Sequence, residues 1–241
     1  MSKILMITGA SSDFGTGFIE RNHESYDKII AHYNTNKEKL LKLNEKCSGK
    51  LILKCADLND IDSVKKMMNE ISASNISPHH FLHFAAKKLT YKRFRQIDTT
   101  ELEEEFRCSV FSFIEIMKSI LPNMSANKYG KAVVMLSSCL SGRPPKFMSS
   151  YVMSKYALLG SVMSLSAEYA EKGICINAVS PDMTDTNFIS DIPEMIVEMT
   201  RKKNVMKRNL SVDEVLPTIE YLLSDASDKV TGQNIFISGV R

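Results

Sequence analysis

No stretch of this chain approaches the ~20 consecutive apolar residues that a membrane-spanning helix needs. The first apolar run, Ile4 to Ile7 behind Met1-Ser2-Lys3, is too short for a secretory signal. Both absences point away from a membrane partner. A strong charge of either sign is missing too: 31 Lys and Arg stand against 28 Asp and Glu, a formal net charge of +3. With neither a basic tail nor interleaved basic and aromatic repeats, nucleic acid is not an expected partner. The five cysteines (Cys47, Cys55, Cys108, Cys139 and Cys175) are scattered, with no C-x-x-C pair and no metal-ligand spacing. That predicts reduced thiols in a cytoplasmic protein and no metal site. Internal repeats, low-complexity tracts and linkers are also absent. At 241 residues and 44% apolar content, one domain spanning 1–241 with a substantial core is expected.

What is present is an alternation of two kinds of segment. Lys3 to Thr8 is short and continuously apolar, as a strand buried on both faces would be. Gly9-Ala10-Ser11-Ser12-Asp13-Phe14-Gly15 follows, then a helical stretch to about Ser25. A strand, a glycine turn and a helix N-terminus make an anion site, because free N–H groups and the positive dipole end face a phosphate. The pattern predicts further strands at 28–33, 50–55, 79–84, 131–137, 174–180 and 234–238. Helices are predicted at 35–47, 61–71, 98–124 (one or two, stopped near Pro122), 151–170 and 212–223. A polar, Met-rich segment, about 182–209, reads as a pliable lid over the substrate. Strands alternating with helices predict an α/β fold: a doubly wound parallel sheet of about seven strands, Rossmann-like, with ligands at the strands' carboxyl ends.

The chemistry concentrates between Ser138 and Lys155. Tyr151 and Lys155 stand four apart at the head of a helical run, so phenol and ammonium share a face. Ser138 follows the apolar run Ala132-Val133-Val134-Met135-Leu136 and lies thirteen residues before Tyr151. A hydroxyl, a phenol and an ammonium gathered there suit proton transfer to or from a carbonyl oxygen. A phenol titrates near pH ~10 unperturbed, and a cation alongside lowers that. Tyrosine and lysine share this spacing on many ordinary helices, so other landmarks have to agree.

They do. Over essentially its whole length the chain resembles the short-chain dehydrogenase/reductase family. Thr8 to Gly15 (T-G-A-S-S-D-F-G) resembles the family's cofactor turn, and Ala56-Asp57-Leu58 the segment that contacts adenine. Ser138, Tyr151 and Lys155 match its catalytic serine, tyrosine and lysine. Asn177-Ala178-Val179-Ser180-Pro181, with Thr184 and Thr186, matches the approach to the nicotinamide, and Val230-Thr231-Gly232-Gln233 with Ser238-Gly239 the ending. Within the family, the chain is most similar to the single-domain reductases that include 3-oxoacyl-acyl-carrier-protein reductase. The resemblance implies an NAD(P)-dependent oxidoreductase interconverting a ketone and a secondary alcohol. Tyr151 would protonate the carbonyl oxygen, Ser138 would hydrogen-bond it, and Lys155 would bind the nicotinamide ribose and keep the phenol acidic. Cofactor contacts would come from Gly9, Ala10, Ser11, Ser12, Phe14 and Gly15 in the turn, and from Tyr33 and Asn34 after the second strand. Asp57, Leu58, Phe84, Ala85, Pro181, Thr184 and Thr186 would complete them. A homotetramer or homodimer built on the two long helices is implied likewise.

Several residues depart from the family pattern. Asp13 stands where a third glycine is usual and reads as a helix N-cap. His83-Phe84-Ala85-Ala86 replaces Asn-Asn-Ala-Gly, and His83 reads as a hydrogen-bonded core residue. Ser109 occupies the fourth catalytic position, where the family's asparagine holds a water, and its shorter hydroxyl alters that relay. Asp182 and Val240 replace glycines. NADP is predicted over NAD, because His32-Tyr33-Asn34-Thr35-Asn36-Lys37 has no carboxylate before Glu38 to take a ribose 2′-hydroxyl. Asn34 and Lys37 would meet a 2′-phosphate instead. If the substrate rides on an acyl carrier protein, Lys128, Lys131, Lys172, Arg143 and Lys146 are the cations that would receive it. Two other readings remain open: a sugar or similar polar metabolite as substrate, or a non-catalytic cofactor-binding sensor.

Overall fold

Seven short apolar runs pair into one sheet in this computed structural model, which describes residues 3–238. Gly239 and Val240, used above as landmarks, lie outside the described residues, as do Met1 and Ser2. The strands are β1 (Ile4–Thr8), β2 (Lys28–Tyr33), β3 (Leu51–Cys55), β4 (His80–His83), β5 (Gly130–Met135), β6 (Ile174–Pro181) and β7 (Asn234–Ile237). All pairs are parallel, in the order β3-β2-β1-β4-β5-β6-β7. The order reverses between β1 and β4, and there the turns after two adjacent strands diverge to leave a crevice.

Among the described residues there are eight α-helices, α1 (Asp13–Asn22), α2 (Lys37–Lys46), α3 (Ile61–Ala73), α4 (Thr99–Phe106), α5 (Ser112–Ala126), α6 (Ser149–Tyr169), α7 (Glu194–Lys203) and α8 (Val212–Leu223), most of them packed on the two faces. Alternation along β1 divides the core. Leu5 and Ile7 pack with Phe18, Leu40 and Leu216 under α1, α2 and α8. Ile4 and Met6 pack with Val64, Phe113 and Leu158 under α3, α5 and α6. Leu5, Met6 and Ile7 have no exposed surface, worth roughly 1.5–3 kcal/mol apiece in burial. Local signals set the ends. Asp60 and Asp98 cap α3 and α4, Ser211 and Glu214 form a capping box on α8, and Gly173 ends the turn after α6 at φ +72°.

Three boundaries differ from the sequence expectation. Pro122 does not stop its helix; α5 runs through it to Ala126. Losing one amide costs about 3 kcal/mol, but Leu121 and Met124 are buried on the sheet and hold the last turn in place. Between α4 and α5 the chain makes a π-helical turn, Arg107–Phe111, so the predicted 98–124 helix is interrupted at Ser109. The strand before Ser138 ends at Met135, and Ser138 opens a short 3-10 turn, Ser138–Leu140. The polar segment 182–209 carries a short helical turn, Asn187–Ile189, and then α7.

Candidate active site

A cleft of about 990 Å³ runs along the carboxyl ends of the central strands, from Asn34 and Asp57 past Gly9 to Tyr151, Lys155 and Thr186. Its near end is built by the first glycine turn. Gly9 takes φ +67°, and a Cβ there would sit 2.9 Å from the Ala85 backbone nitrogen, so only glycine lets the two turns meet. His32 fixes the same point: its Nδ1 accepts from Gly9 N at 3.1 Å while its Nε2 lies 3.1 Å from the Ala56 carbonyl. Burial drives the His32 pKa down to about 4, so it stays neutral at pH 7. Gly15 lets α1 press onto Ala10, whose carbonyl oxygen would lie 2.5 Å from an added Cβ.

Ser12, not Asp13, caps α1, accepting from Gly15 N at 3.1 Å. Asp13 is the first residue of the helix, and its carboxylate turns outward. It accepts from Asn187 N at 2.7 Å, from Asn187 Nδ2 and from Lys39 Nζ at 3.2 Å. Burial raises the Asp13 pKa, but these donors outweigh it, and the net direction is down. The expected capping role goes to the neighbouring hydroxyl, because either residue can cap and the turn geometry selects the earlier one.

At the far end, α6 brings Tyr151 and Lys155 onto one face. Lys155 is 2% exposed; its Nζ donates to the Met135 carbonyl at 2.8 Å and lies 5.5 Å from the Tyr151 ring centroid. The Tyr151 hydroxyl shares a hydrogen bond with Ser137, a residue the sequence reading passed over. Ser138 lines the same cleft and donates to Asp182 Oδ1 at 2.8 Å. Burial pushes the Tyr151 pKa up, Cys139 adds to this, and the Ser137 bond opposes it. The net shift is upward, whereas the adjacent cation alone predicted a fall; desolvation of the phenolate is the larger effect. Burial likewise depresses the Lys155 pKa, with Glu105 acting against it.

The remaining predicted positions divide. Ser11, Ser12, Phe14, Asn34, Asp57, Leu58, Phe84, Ala85, Pro181, Thr184 and Thr186 line the cleft; Ala10, Gly15, Tyr33 and Ser109 do not. Asp57 accepts from Asn59 N at 2.9 Å, which shapes the turn after β3. Ser109 lies behind the site, its hydroxyl 3.3 Å from Glu105 Oε1 and its carbonyl 3.0 Å from His83 Nε2. His83 also meets Thr8 Oγ1 at 2.8 Å, so it braces the sheet as a core histidine. Lys37 begins α2 away from the cleft, and Lys39 lines it instead. Lys131 is 2% exposed and pairs with Asp228 at 2.6 Å, so it is removed from any docking surface. Ser137 and Lys39 each had a weak signal, an adjacent serine and a neighbouring lysine; Glu105 had none beyond its charge.

The cleft fits a dinucleotide on this chain's own features. The N–H groups of a helix's first turn lack intrahelical acceptors and favour an anion. The carboxylate that would oppose a pyrophosphate, Asp13, is taken up by Lys39 and Asn187. Ser11 and Ser12 would meet the phosphates, Asp57 and Leu58 the adenine, and Tyr151 and Lys155 the nicotinamide end.

Residues 9–239 match the family model described as enoyl-(acyl carrier protein) reductase. The uncharacterized oxidoreductase YmfI of Bacillus subtilis is 26% identical over 239 residues, covering 99% of this chain and 98% of that protein. The 3-oxoacyl-[acyl-carrier-protein] reductase FabG of Buchnera aphidicola is 24% identical, covering 97% and 94%. Among solved structures, 3-oxoacyl (acyl-carrier-protein) reductase from Agrobacterium tumefaciens with NADP bound superposes with a TM-score of 0.88 at 21% identity, covering 98% and 93%. With a family model spanning nearly all of the chain, this protein belongs to the short-chain dehydrogenase/reductase family and is an NAD(P)-dependent oxidoreductase.

Proposed function

We propose that the chain uses NADPH to reduce a 3-oxoacyl group held as a thioester, with Tyr151 as the acid. The observation that carries this is the pairing of Tyr151 with Lys155 at the end of a cleft that begins at the Gly9 turn. When bound, the reduced nicotinamide supplies the hydride. Tyr151 gives its proton to the carbonyl oxygen, and Ser138 leaves Asp182 to hydrogen-bond that oxygen as charge develops. Ser137 orients the phenol. Lys155 holds the nicotinamide ribose and stabilises the phenolate left behind. Segment 182–209 closes over the acyl chain, its Met195 and Met199 exposed on α7.

A homotetramer or homodimer and a cytoplasmic location belong to the same proposal. Phe111, Tyr156 and Met163 are exposed along the π turn and α6, a face suited to another copy. Among the described residues no two cysteines are joined in a disulfide. A second reading, a polar hydroxylated substrate, draws on Asp182, whose carboxylate lines the cleft beside Ser138 and can accept from a substrate hydroxyl.

The test compares an acyl-carrier thioester with the same acyl group on a small thiol. Tyr151→Phe is expected to lower turnover at least ~10²-fold, the scale of a lost general acid, with NADPH binding unchanged. Near-normal turnover in that variant removes the assignment. A salt-sensitive advantage for the carrier form, reduced by Lys128→Glu with Lys172→Glu, supports docking; equal rates for both substrates favour a free small molecule.

A further inference from the structure

The ketoreductase reading leaves one buried carboxylate without a role. Glu105, in the last turn of α4, is 6% exposed, and burying a carboxylate is costly unless it answers another charge. Its Oε1 accepts from Ser154 Oγ at 2.9 Å and from Ser109 Oγ at 3.3 Å. Ser154 adjoins Lys155 on α6, and its hydroxyl also lies 2.9 Å from the Tyr151 carbonyl oxygen. Glu105 is thereby fixed to the turn of helix that presents both reacting side chains. The π-helical turn places Ser109 between Glu105 and His83, its hydroxyl toward the first and its carbonyl toward the second.

We propose that Glu105 is the counter-charge of Lys155, a positioning residue that holds a positive charge beside Tyr151. Lys155 needs one. Its ammonium is buried, and its hydrogen bond to the Met135 carbonyl supplies no net charge. The other titratable groups around it are His83 from β4, Cys108 from the π turn, Cys139 after β5, and Tyr151 itself. Burial lowers the His83 pKa to about 3 and raises that of Cys108 to about 12, so both are neutral at pH 7. Asp57 and Lys87 act on Cys108 more weakly than Glu105 does, and Lys87 is itself paired with Glu104. Among the described residues, Glu105 is the carboxylate that acts on the ammonium.

The sign is unambiguous. Removing an anion lowers the pKa of every neighbour, so without Glu105 both Lys155 and Tyr151 lose their protons at lower pH. The catalytic consequence rests on the ketoreductase reading, but the charge relation does not, and it can be read without cofactor or substrate. In protein labelled with 13C-lysine, the Cε resonance of Lys155, assigned by its loss in Lys155→Arg, reports the ammonium's midpoint. In Glu105→Gln, which keeps an acceptor for both serines, that midpoint is expected to fall by about one pH unit or more. In Glu105→Asp it stays near the wild-type value. The alkaline limb of ketone reduction shifts in parallel. A structural role alone would change the melting temperature and leave the midpoint in place.

Should Glu105→Gln not fold, Glu105→Leu with Ser109→Ala and Ser154→Ala removes the carboxylate together with the hydroxyls it would orphan, and carries the same expectation. An unmoved midpoint in either folded variant overturns the proposal. A shifted midpoint in a protein that reduces no ketone keeps the counter-charge and removes the ketoreductase reading alone.

Discussion

Lys131 and Asp228 make an unequal pair, and the inequality can be measured. The lysine is 2% exposed at the start of β5, while the aspartate side chain is 53% exposed. The ammonium meets the Ser224 carbonyl, Ser227 Oγ at 3.1 Å and the Asp228 carboxylate at 2.6 Å. Removing the carboxylate leaves a charge in the interior, an error worth about 3–5 kcal/mol when a fully buried pair is broken. Here the two neutral acceptors remain and Asp228 borders solvent, which reduces the expected cost of Asp228→Asn to about 1–3 kcal/mol. Lys131→Met removes the charge and keeps most of the volume. The freed carboxylate rehydrates, and Ser227 Oγ keeps the Leu222 and Ser224 carbonyls, each 2.9 Å away. That variant should cost less than about 1.5 kcal/mol, the range of volume-conserving core changes. Adding Asp228→Asn to it should cost little more, because no interior charge is left to abandon. Urea denaturation at fixed protein concentration measures all three, read as midpoint shifts at constant slope. If Asp228→Asn is harmless while Lys131→Met is the costlier change, the lysine is not held as described. The same Lys131→Met protein should show no loss of preference for a carrier-bound substrate, since this side chain never reaches the surface.

Two further outcomes follow from the cleft. Tyr151 is raised by burial and so remains protonated through neutral pH; ketone reduction should therefore proceed well there, while alcohol oxidation, which needs the phenolate, climbs up to about tenfold per pH unit through the alkaline range. Initial rates in both directions between pH 6 and 10 check this, and an oxidation rate already level below pH 7 contradicts it. Lys39 lines the adenosine end beside Thr35 and Asn36 while its Nζ pairs with Asp13 at 3.2 Å; Lys39→Ala should weaken both reduced cofactors by freeing that carboxylate, and NADPH by about tenfold more, roughly 1.4 kcal/mol, for the lost charge at a 2′-phosphate. Fluorescence titration of both reduced cofactors decides it, and an equal loss for the two removes Lys39 from the 2′ site.

Much of the architecture was legible because parallel strands buried on both faces read as unbroken apolar runs. Lys28–Tyr33 and Val212–Leu223 fall where the pattern put them, and the other strands lie within two residues at each end. What escaped was decided by tertiary contacts. A π turn adds one residue to a single turn, a phase shift too small to read where Cys108, Ser109, Val110, Ser112 and Phe113 are all buried, so the break at Ser109 left no clear local trace. Pro122 reads as a stop unless the burial of Leu121 and Met124 is known. Helix α7 lies in a polar segment with a single buried side chain, Val197, too weak a stripe to mark it. Lys131 at a strand's start reads as surface until Asp228 arrives from 97 residues away along the chain. At the site, spacing brought Tyr151 to Lys155, because four residues on a helix fix direction. Two adjacent serines at a strand end point opposite ways, and only the fold shows Ser137 at the phenol and Ser138 at Asp182.

The bonds from Asp13 to Asn187 join residues 174 positions apart, and this has a consequence for the newborn chain. As synthesis proceeds, β1, β2 and β3 can pair once the first 55 or so residues are out, and the glycine turn at 9–15 is complete among them. Its wall is not. The carboxylate at the mouth of that turn has Lys39 early, but waits for its second partner, Asn187, made three-quarters of the way along the message. Until then Lys39 alone answers it, and the two donors of Asn187 are missing. An unfinished polypeptide thus carries the glycine turn without the segment that closes its mouth, and the two ends of the message meet there only when the last quarter folds back.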